Sequence, residues 1–448
     1  MINSKYEKSI QFIESLINNP GPEYLKDFAG KNRKVGTSLS AEARRAKAGS
    51  FFIKRLKYLL KLLGNPENSF KYIHIAGTSG KSSLTCMLQS ILTEAGLKTG
   101  AYFSPHPTYT TERIKVGHNY ISENDFAELT NQIKPHLSKC ASNSPYGIPS
   151  YFETLLAISL LYFKKQKCKY VVLEAGLGGT FDATNIIPKP EIAIITNVDL
   201  DHTDILGNTK QKIARDKAGI IKKGTTFLTA EQDQKILKIF KTICKQKNAV
   251  FNKVNLNYQI LKNNLTGTKF EYQKETYKTK LPGDHQIKNA ILAIEATDMI
   301  IFPTPFSKKP QKKLSPPCYL PRATSRGGGE LKRGLEQIER GLKKAFLPCR
   351  MEIVQQNPTV ILDGAHNPDK MKSTANFIKN IKHKNLHLIL ALAENKDLYN
   401  TLKHIVPLAS RVYLTRFLIP GRKAHDLKKM AKTVKKLTTS KVETHIDP

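Results

Sequence analysis

Residues 72–83 read YIHIAGTSGKSS, and the architecture follows from this stretch. Tyr72 to Ala76 is a short apolar run of strand length that ends in Gly77-Thr78-Ser79-Gly80. Leu84, Leu88, Ile91, Leu92 and Ala95 then recur at helical spacing as far as Gly96. The order is strand, loop, helix. Such a loop presents backbone N–H groups at a helix N-terminus, where the aligned peptide dipoles favour an anion, and Lys81 adds a cation able to reach terminal phosphates. Ile75 stands where the usual P-loop has its first glycine, so this loop is a shorter variant. Gly77, Thr78, Ser79, Gly80, Lys81, Ser82 and Ser83 are therefore the candidate phosphate-binding residues.

The pattern continues outward from that point. Strands are expected at Thr99 to Phe103, Tyr170 to Ala175 and Ile192 to Val198, with helices at Ser122 to Leu137 and Tyr151 to Lys165. Alternation of this kind implies an α/β fold with a mostly parallel sheet covered on both faces. Residues 255–280 change to short alternating runs that read as antiparallel hairpins, and a helix from His285 to Met299 is expected to close the first domain. From Phe302 to Gly329 the composition shifts to Pro, Lys, Ser and Gly, which bury too little apolar surface to order a core, and the expectation is a flexible insertion. Strands at Thr359 to Leu362, Leu386 to Leu392 and Arg411 to Thr415 then alternate with helices and imply a smaller Rossmann-like α/β domain. The expected organisation is thus a sheet domain over residues 1–301, an insertion over 302–333, and a second domain over 334–448.

Composition narrows the function. The chain of 448 residues is long enough for two cores. Its longest apolar runs, Phe152 to Phe163 and Leu386 to Ala393, fall short of the ~18 residues that span a bilayer. No secretory signal opens the sequence, and a cytoplasmic protein without membrane contact is expected. Six cysteines without a CxxC pair or histidine partners argue against zinc and against a disulfide framework. The 72 Lys and Arg against 37 Asp and Glu leave a charge of +35, which attracts polyanions such as nucleotides. The basic residues are spread along the chain and form no recognition module, so no specific nucleic-acid partner is expected.

Further motifs follow the phosphate loop in order: Ser104-Pro105-His106, Thr111-Glu112-Arg113-Ile114, Tyr151-Phe152-Glu153, LEAGLGGTFDATN at 173–185 and DHTDILG at 201–207. Lys217-Ala218-Gly219-Ile220, HQIKNA at 285–290, Arg350-Met351-Glu352 and DGAHNP at 363–368 complete the series. In this order they resemble the folylpolyglutamate synthase and dihydrofolate synthase family, itself related to the Mur ligases. The resemblance implies a Mur-ligase-like fold and an ATP-dependent ligase that joins L-glutamate to a folate or dihydropteroate through an acyl phosphate, acting as a monomer. It implies magnesium held near Ser104, Glu174 and His202, and a Lys217 carbamylated by CO2. Lys81, His202 and Lys217 are the implied catalytic residues; Asn289 and Asp363 are implied at the adenosine, Arg350 at the phosphates and His366 beside them.

Residue type supports part of this independently. Glu174 ends a buried strand at its carboxyl edge, where open α/β sheets bind ligands, and Asp363 ends a Val-Ile-Leu run in the same way. Other readings stay open: a Mur-type ligase outside the folate branch, a nucleic-acid-associated ATPase, or a nucleotide-binding relative without ligase chemistry. The last rests on Ser82 and Cys349, which stand where the family has glycine, and on a chain that ends at Pro448, before the helix and strand expected to complete the second domain.

Overall fold

The run quoted first is strand β1 (Lys71–Ala76), and it lies inside an eight-stranded sheet rather than at an edge. The computed structural model describes residues 4–18, 41–301, 328–418 and 423–445. Residues 302–327, most of the expected insertion, lie outside them. The sheet adds β2 (Thr99–Tyr102), β3 (Ile114–Val116), β4 (Asn119–Tyr120), β5 (Tyr170–Glu174), β6 (Ile192–Ile195), β7 (Thr226–Thr229) and β8 (Val250–Lys253). Their order is β4-β3-β2-β5-β1-β6-β7-β8. From β2 to β8 every neighbouring pair is parallel, and β3 and β4 extend the β2 edge antiparallel. The mostly parallel sheet read from the sequence is therefore present.

The central strands are apolar on both faces because helices cover both. In the helix Lys81–Glu94, Leu84, Leu88, Ile91 and Leu92 are buried. In Tyr151–Lys165 nearly every side chain is buried, and Ser150 and Glu153 close a capping box at its start. Burying one such Leu, Ile or Phe stabilises by about 1.5–3 kcal/mol, which offsets the entropy of ordering the chain around it. β6 stops at Ile195, earlier than the expected Val198, because Thr196 and Asn197 turn their side chains to the loop after β1. Sequence reading missed the helix Gln234–Gln246, although Ile236, Leu237, Phe240 and Cys244 form its buried stripe between exposed lysines.

Two compact units divide the chain. One holds the described residues up to Leu256 together with Asn289–Lys344; the other holds Asn257–Lys288 and the described residues from Ala345 onward. These borders differ from the expected ones at 301 and 334. The helix Gly328–Lys344 packs on the helix Lys81–Glu94, where Gly341 lies against Ile91 and accepts a hydrogen bond from Ser90 Oγ at 2.8 Å. The hairpins β9 (Tyr258–Asn264), β10 (Gly267–Tyr272) and β11 (Glu275–Thr279) are antiparallel as read, but they belong to the second unit. That unit also contains the antiparallel pair β12 (Glu352–Gln356) and β13 (Thr359–Leu362). Its parallel sheet orders β14 (His387–Leu390), β15 (Arg411–Leu414) and β16 (Lys441–Thr444). Among the described residues no helix is long and apolar enough to cross a membrane.

Candidate active site

Register sets the geometry. Ile75 pairs with Glu174 and Ala76 with Ile195, so the carboxyl ends of β1, β5 and β6 lie side by side, where parallel sheets place ligands. The loop Gly77–Gly80 leaves β1 there and is held from the β6 side. Thr78 N donates to Asn197 O at 3.0 Å, Ser79 N to Asn197 Oδ1 at 2.9 Å, and Thr196 Oγ1 to Ser79 O at 2.6 Å. Thr78 Oγ1 donates to Asp199 O at 3.1 Å and accepts from Asp199 N at 3.0 Å.

Two glycines permit this packing. A Cβ on Gly77 would lie 1.8 Å from Thr196 Oγ1; one on Gly80, at φ 82°, would lie 2.4 Å from Asn289 Oδ1. Gly80 caps the helix Lys81–Glu94 without a side-chain acceptor, and Ser79 Oγ is buried without a hydrogen-bond partner. First-turn N–H groups that no side chain caps, facing a glycine loop, suit a phosphate.

Two lysines converge on one carbonyl. Lys81 Nζ donates to Gly77 O at 3.1 Å, and Lys217 Nζ donates to the same oxygen at 2.7 Å. Lys217 is 4% exposed. Burial, and then the neighbouring Lys81 charge, push its amine down to about 7, while Asp216, Asp201 and Asp182 pull it back up. Lys217 ends the helix Lys210–Lys217, and the loop after β5 packs against that end backbone to backbone. Gly179 N donates to Asp216 Oδ1 at 3.0 Å and Thr180 N to Asp216 O at 2.9 Å. A Cβ on Gly179 would meet Lys217 O at 2.6 Å, so a glycine here is what lets the lysine approach the phosphate loop.

Glu174 is 1% exposed, and its carboxylate joins two other loops. Ser82 Oγ donates to Oε1 at 2.7 Å and Ser104 N to Oε2 at 3.2 Å. Ser82, where the family has glycine, thus occupies an oxygen of the candidate metal ligand. Arg113 donates from NH1 to Ser104 Oγ at 3.2 Å and from Nε to His106 Nδ1 at 2.8 Å. His202 sits in the left-handed region at φ 50° before the short helix Thr203–Leu206, its Nε2 3.9 Å from Asp201 Oδ1. Among the described residues no three His, Cys, Asp or Glu side chains group closely enough to hold a metal. Glu174 and Ser104 instead offer a few hard oxygen donors beside a phosphate site, which fits magnesium, a cation that keeps waters and shares phosphate oxygens.

In the second unit, Arg350, Asp363 and His366 gather at one turn. Asp363 Oδ2 accepts from Met351 N at 3.0 Å, and Oδ1 accepts from Ala365 N and Thr374 Oγ1 at 3.0 Å each. Arg350 NH1 donates to Cys349 O at 3.0 Å, and His366 Nδ1 to Gly364 O at 2.8 Å. Cys349 carries φ +53°, a left-handed conformation that a glycine adopts without strain.

A phosphate loop joined to a buried lysine at the ends of a parallel sheet, ahead of a second α/β unit, is the arrangement of a Mur-type ligase. Residues 75–297 match the Mur ligase middle domain and residues 349–447 the Mur ligase glutamate ligase domain. The dihydrofolate synthase/folylpolyglutamate synthase of Bacillus subtilis is 32% identical over 82% of this chain and 81% of its own length. The folylpolyglutamate synthase of Lacticaseibacillus casei is 27% identical over 84% of this chain and 83% of its own length. A crystal structure of Mycobacterium tuberculosis folylpolyglutamate synthase complexed with ADP and AMPPCP superposes with a TM-score of 0.75 at 26% identity, over 88% of this chain and 86% of that one. The chain belongs to the folylpolyglutamate synthase and dihydrofolate synthase family of Mur ligases.

Several site residues went unread in the sequence. Thr196, Asn197 and Asp199, which hold the phosphate loop, had one local signal: a Thr-Asn-Val-Asp run directly after a buried strand. Asp182 had no role assigned within its motif, yet it accepts from Leu177 N at 2.8 Å and Thr184 N at 2.9 Å.

Proposed function

We propose that this chain uses ATP to join L-glutamate to a carboxylate of a folate or of dihydropteroate. The convergence of Lys81 and Lys217 on Gly77 O beside Glu174, in a member of this family, is the observation that carries the reading.

The substrate carboxylate attacks the γ-phosphorus of ATP in line, the bond to the β–γ bridging oxygen breaks, and an acyl phosphate and ADP result. The glutamate amine then attacks the acyl carbon, phosphate leaves, and the amine proton passes to solvent or phosphate. Gly77, Thr78, Ser79, Gly80, Ser82 and Ser83 cradle the phosphates, and Lys81 meets the charge that develops on the phosphoryl oxygens. Magnesium, when bound, would neutralise that charge; Ser104, Glu174 and His202 would hold it, together with Lys217 once carbamylated.

Carbamylation requires a neutral amine. Nζ attacks CO2 and releases a proton, leaving an anionic carbamate. An amine brought down to about 7 supplies the neutral form at ordinary pH, which an exposed lysine does not. Asn289, Asp363, Arg350 and His366 are assigned to the nucleotide. The Arg350 guanidinium, planar and always charged, suits phosphate oxygens. The protein is read as a cytoplasmic monomer without specific nucleic-acid partners. Among the described residues Cys86, Cys140, Cys168 and Cys244 are buried and form no disulfide, in keeping with a reducing compartment.

Phosphate release from ATP and magnesium tests the reading, with dihydropteroate or tetrahydrofolate, each with and without L-glutamate. Release that needs glutamate and one of the two supports it and names the substrate. In a folded protein that binds ATP, release with neither leaves the nucleotide-binding reading instead.

A further inference from the structure

One buried histidine of the central strand takes no part in the chemistry above. His74 lies on β1, three residues before Gly77, and is fully buried. Its Nε2 is 2.8 Å from Thr184 Oγ1, and its Nδ1 is buried without a hydrogen-bond partner. Thr184, also buried, donates its hydroxyl proton to Asp182 Oδ1, which accepts from Thr184 N as well. Asp182 Oδ2 accepts from Leu177 N, and a Cβ on Gly176 would lie 3.4 Å from Oδ2 and 3.3 Å from Ser104 Oγ. The Asp182 carboxylate and the Ser104 hydroxyl therefore border the same face of Gly176.

Proton counting gives this chain a direction. A carboxylate receiving three donors is an acceptor, so the single Thr184 proton points to Asp182. Thr184 must then accept from His74, which requires the proton on Nε2 and leaves Nδ1 bare. Burial, with the Lys222 charge nearby, keeps the imidazole neutral by pushing it down to about 3, so the second proton that would reverse the direction is absent.

Building on the ligase reading, we infer that His74 is a positioning residue: through Thr184 it fixes the Asp182 carboxylate beside Ser104, and so sets geometry for the reaction step rather than for nucleotide binding by the phosphate loop. A backbone strand that also carries the phosphate loop is a rigid anchor for such a chain. The isolated Nδ1 indicates that the ring is held for what Nε2 does, since a buried polar atom without a partner is costly.

The test separates this role from a structural one. In the full-length protein, 15N NMR is expected to show His74 as the Nε2–H tautomer, without titration between pH 5 and 9. The near-isosteric Thr184→Val and the His74→Leu variant are expected to lower kcat/KM for the folate substrate roughly ten- to hundredfold, the size of a lost hydrogen bond to a charged group. Their affinity for ATP, measured by calorimetry without turnover, is expected to stay within about twofold, because the phosphate loop keeps its own braces. Thr184→Ser and His74→Gln, which place a hydroxyl and an N–H at the same reach, are expected to restore most activity. An Nδ1–H tautomer, ATP affinity falling in step with activity, or a Gln variant as impaired as Leu would overturn the inference. The NMR and ATP-binding readouts need no turnover, so a wild-type protein without folate activity would undo the ligase reading alone.

Discussion

Lys217 Nζ lies 2.7 Å from the carbonyl oxygen of Gly77, a residue 140 positions earlier in the chain, and this contact joins the helix Lys210–Lys217 to the phosphate loop. The native protein buries an amine whose pKa falls from the usual 10.5 to about 7. Below pH 7 the folded state therefore carries an unfavourable buried charge. Between pH 7 and 10.5 the unfolded chain binds more protons than the folded one, and stability rises with pH. Lys217→Met is expected to stabilise the first unit by a few kcal/mol at pH 6, at about 1.4 kcal/mol for each tenfold loss of proton affinity, with the gain fading toward pH 10. Urea unfolding at several pH values checks this, and an equal gain at every pH would contradict it.

Gly179 approaches the Lys217 carbonyl so closely that a methyl group would lie 2.6 Å from it. The obstacle is backbone, which cannot rotate away. Gly179→Ala is expected to displace Lys217 from the loop and to reduce activity by about 10²-fold, the usual effect of misplacing a reacting group by an ångström. The secondary structure is expected to persist, and circular dichroism beside a phosphate-release assay distinguishes a displaced lysine from a lost fold.

Cys349 holds φ +53° immediately before Arg350. A left-handed conformation costs an L-residue about 1–2 kcal/mol, and glycine removes that strain while adding about 0.5–1 kcal/mol of unfolded-chain entropy. Cys349→Gly is expected to stabilise the second unit by about 0.5–1 kcal/mol, read as a higher denaturant midpoint with an unchanged slope. A lower midpoint would show that the thiol contributes packing that outweighs the strain.

Arg55 and Glu153 form a buried ion pair, NH2 to Oε2 at 2.6 Å, with the guanidinium over the rings of Phe51 and Phe52. Glu153 also accepts from Ser150 N at 2.7 Å at the start of the helix Tyr151–Lys165. Arg55→Met leaves a buried carboxylate without its cation and is expected to cost about 3–5 kcal/mol. Adding Glu153→Gln, which keeps an acceptor for Ser150 N and removes the charge, is expected to recover at least about 1 kcal/mol. Thermal and urea unfolding of the single and double variants measure both terms.

Local features of the sequence specify the local elements. YIHIA, then glycines, then leucines at helical spacing encode strand, loop and helix whatever surrounds them, because backbone sterics and apolar periodicity act over a few residues. Glu174 and Asp363 were legible for the same reason, each ending an apolar strand, and the order of motifs identified the family.

Whatever depends on distant backbone came from the tertiary fold. The Leu-Gly-Gly run at 177–179 did not announce that it packs on Asp216 and Lys217, nor did Thr-Asn-Val-Asp announce that it holds the phosphate loop. The antiparallel hairpins of 258–279 and the helix Gly328–Lys344 also fall in different units from those their sequence neighbours suggested. Lys217 is the clearest instance: read alone it is one more basic residue in a chain of charge +35. Its displaced protonation is a property of burial beside Lys81, and burial is fixed by strand register and glycine contacts made far along the chain.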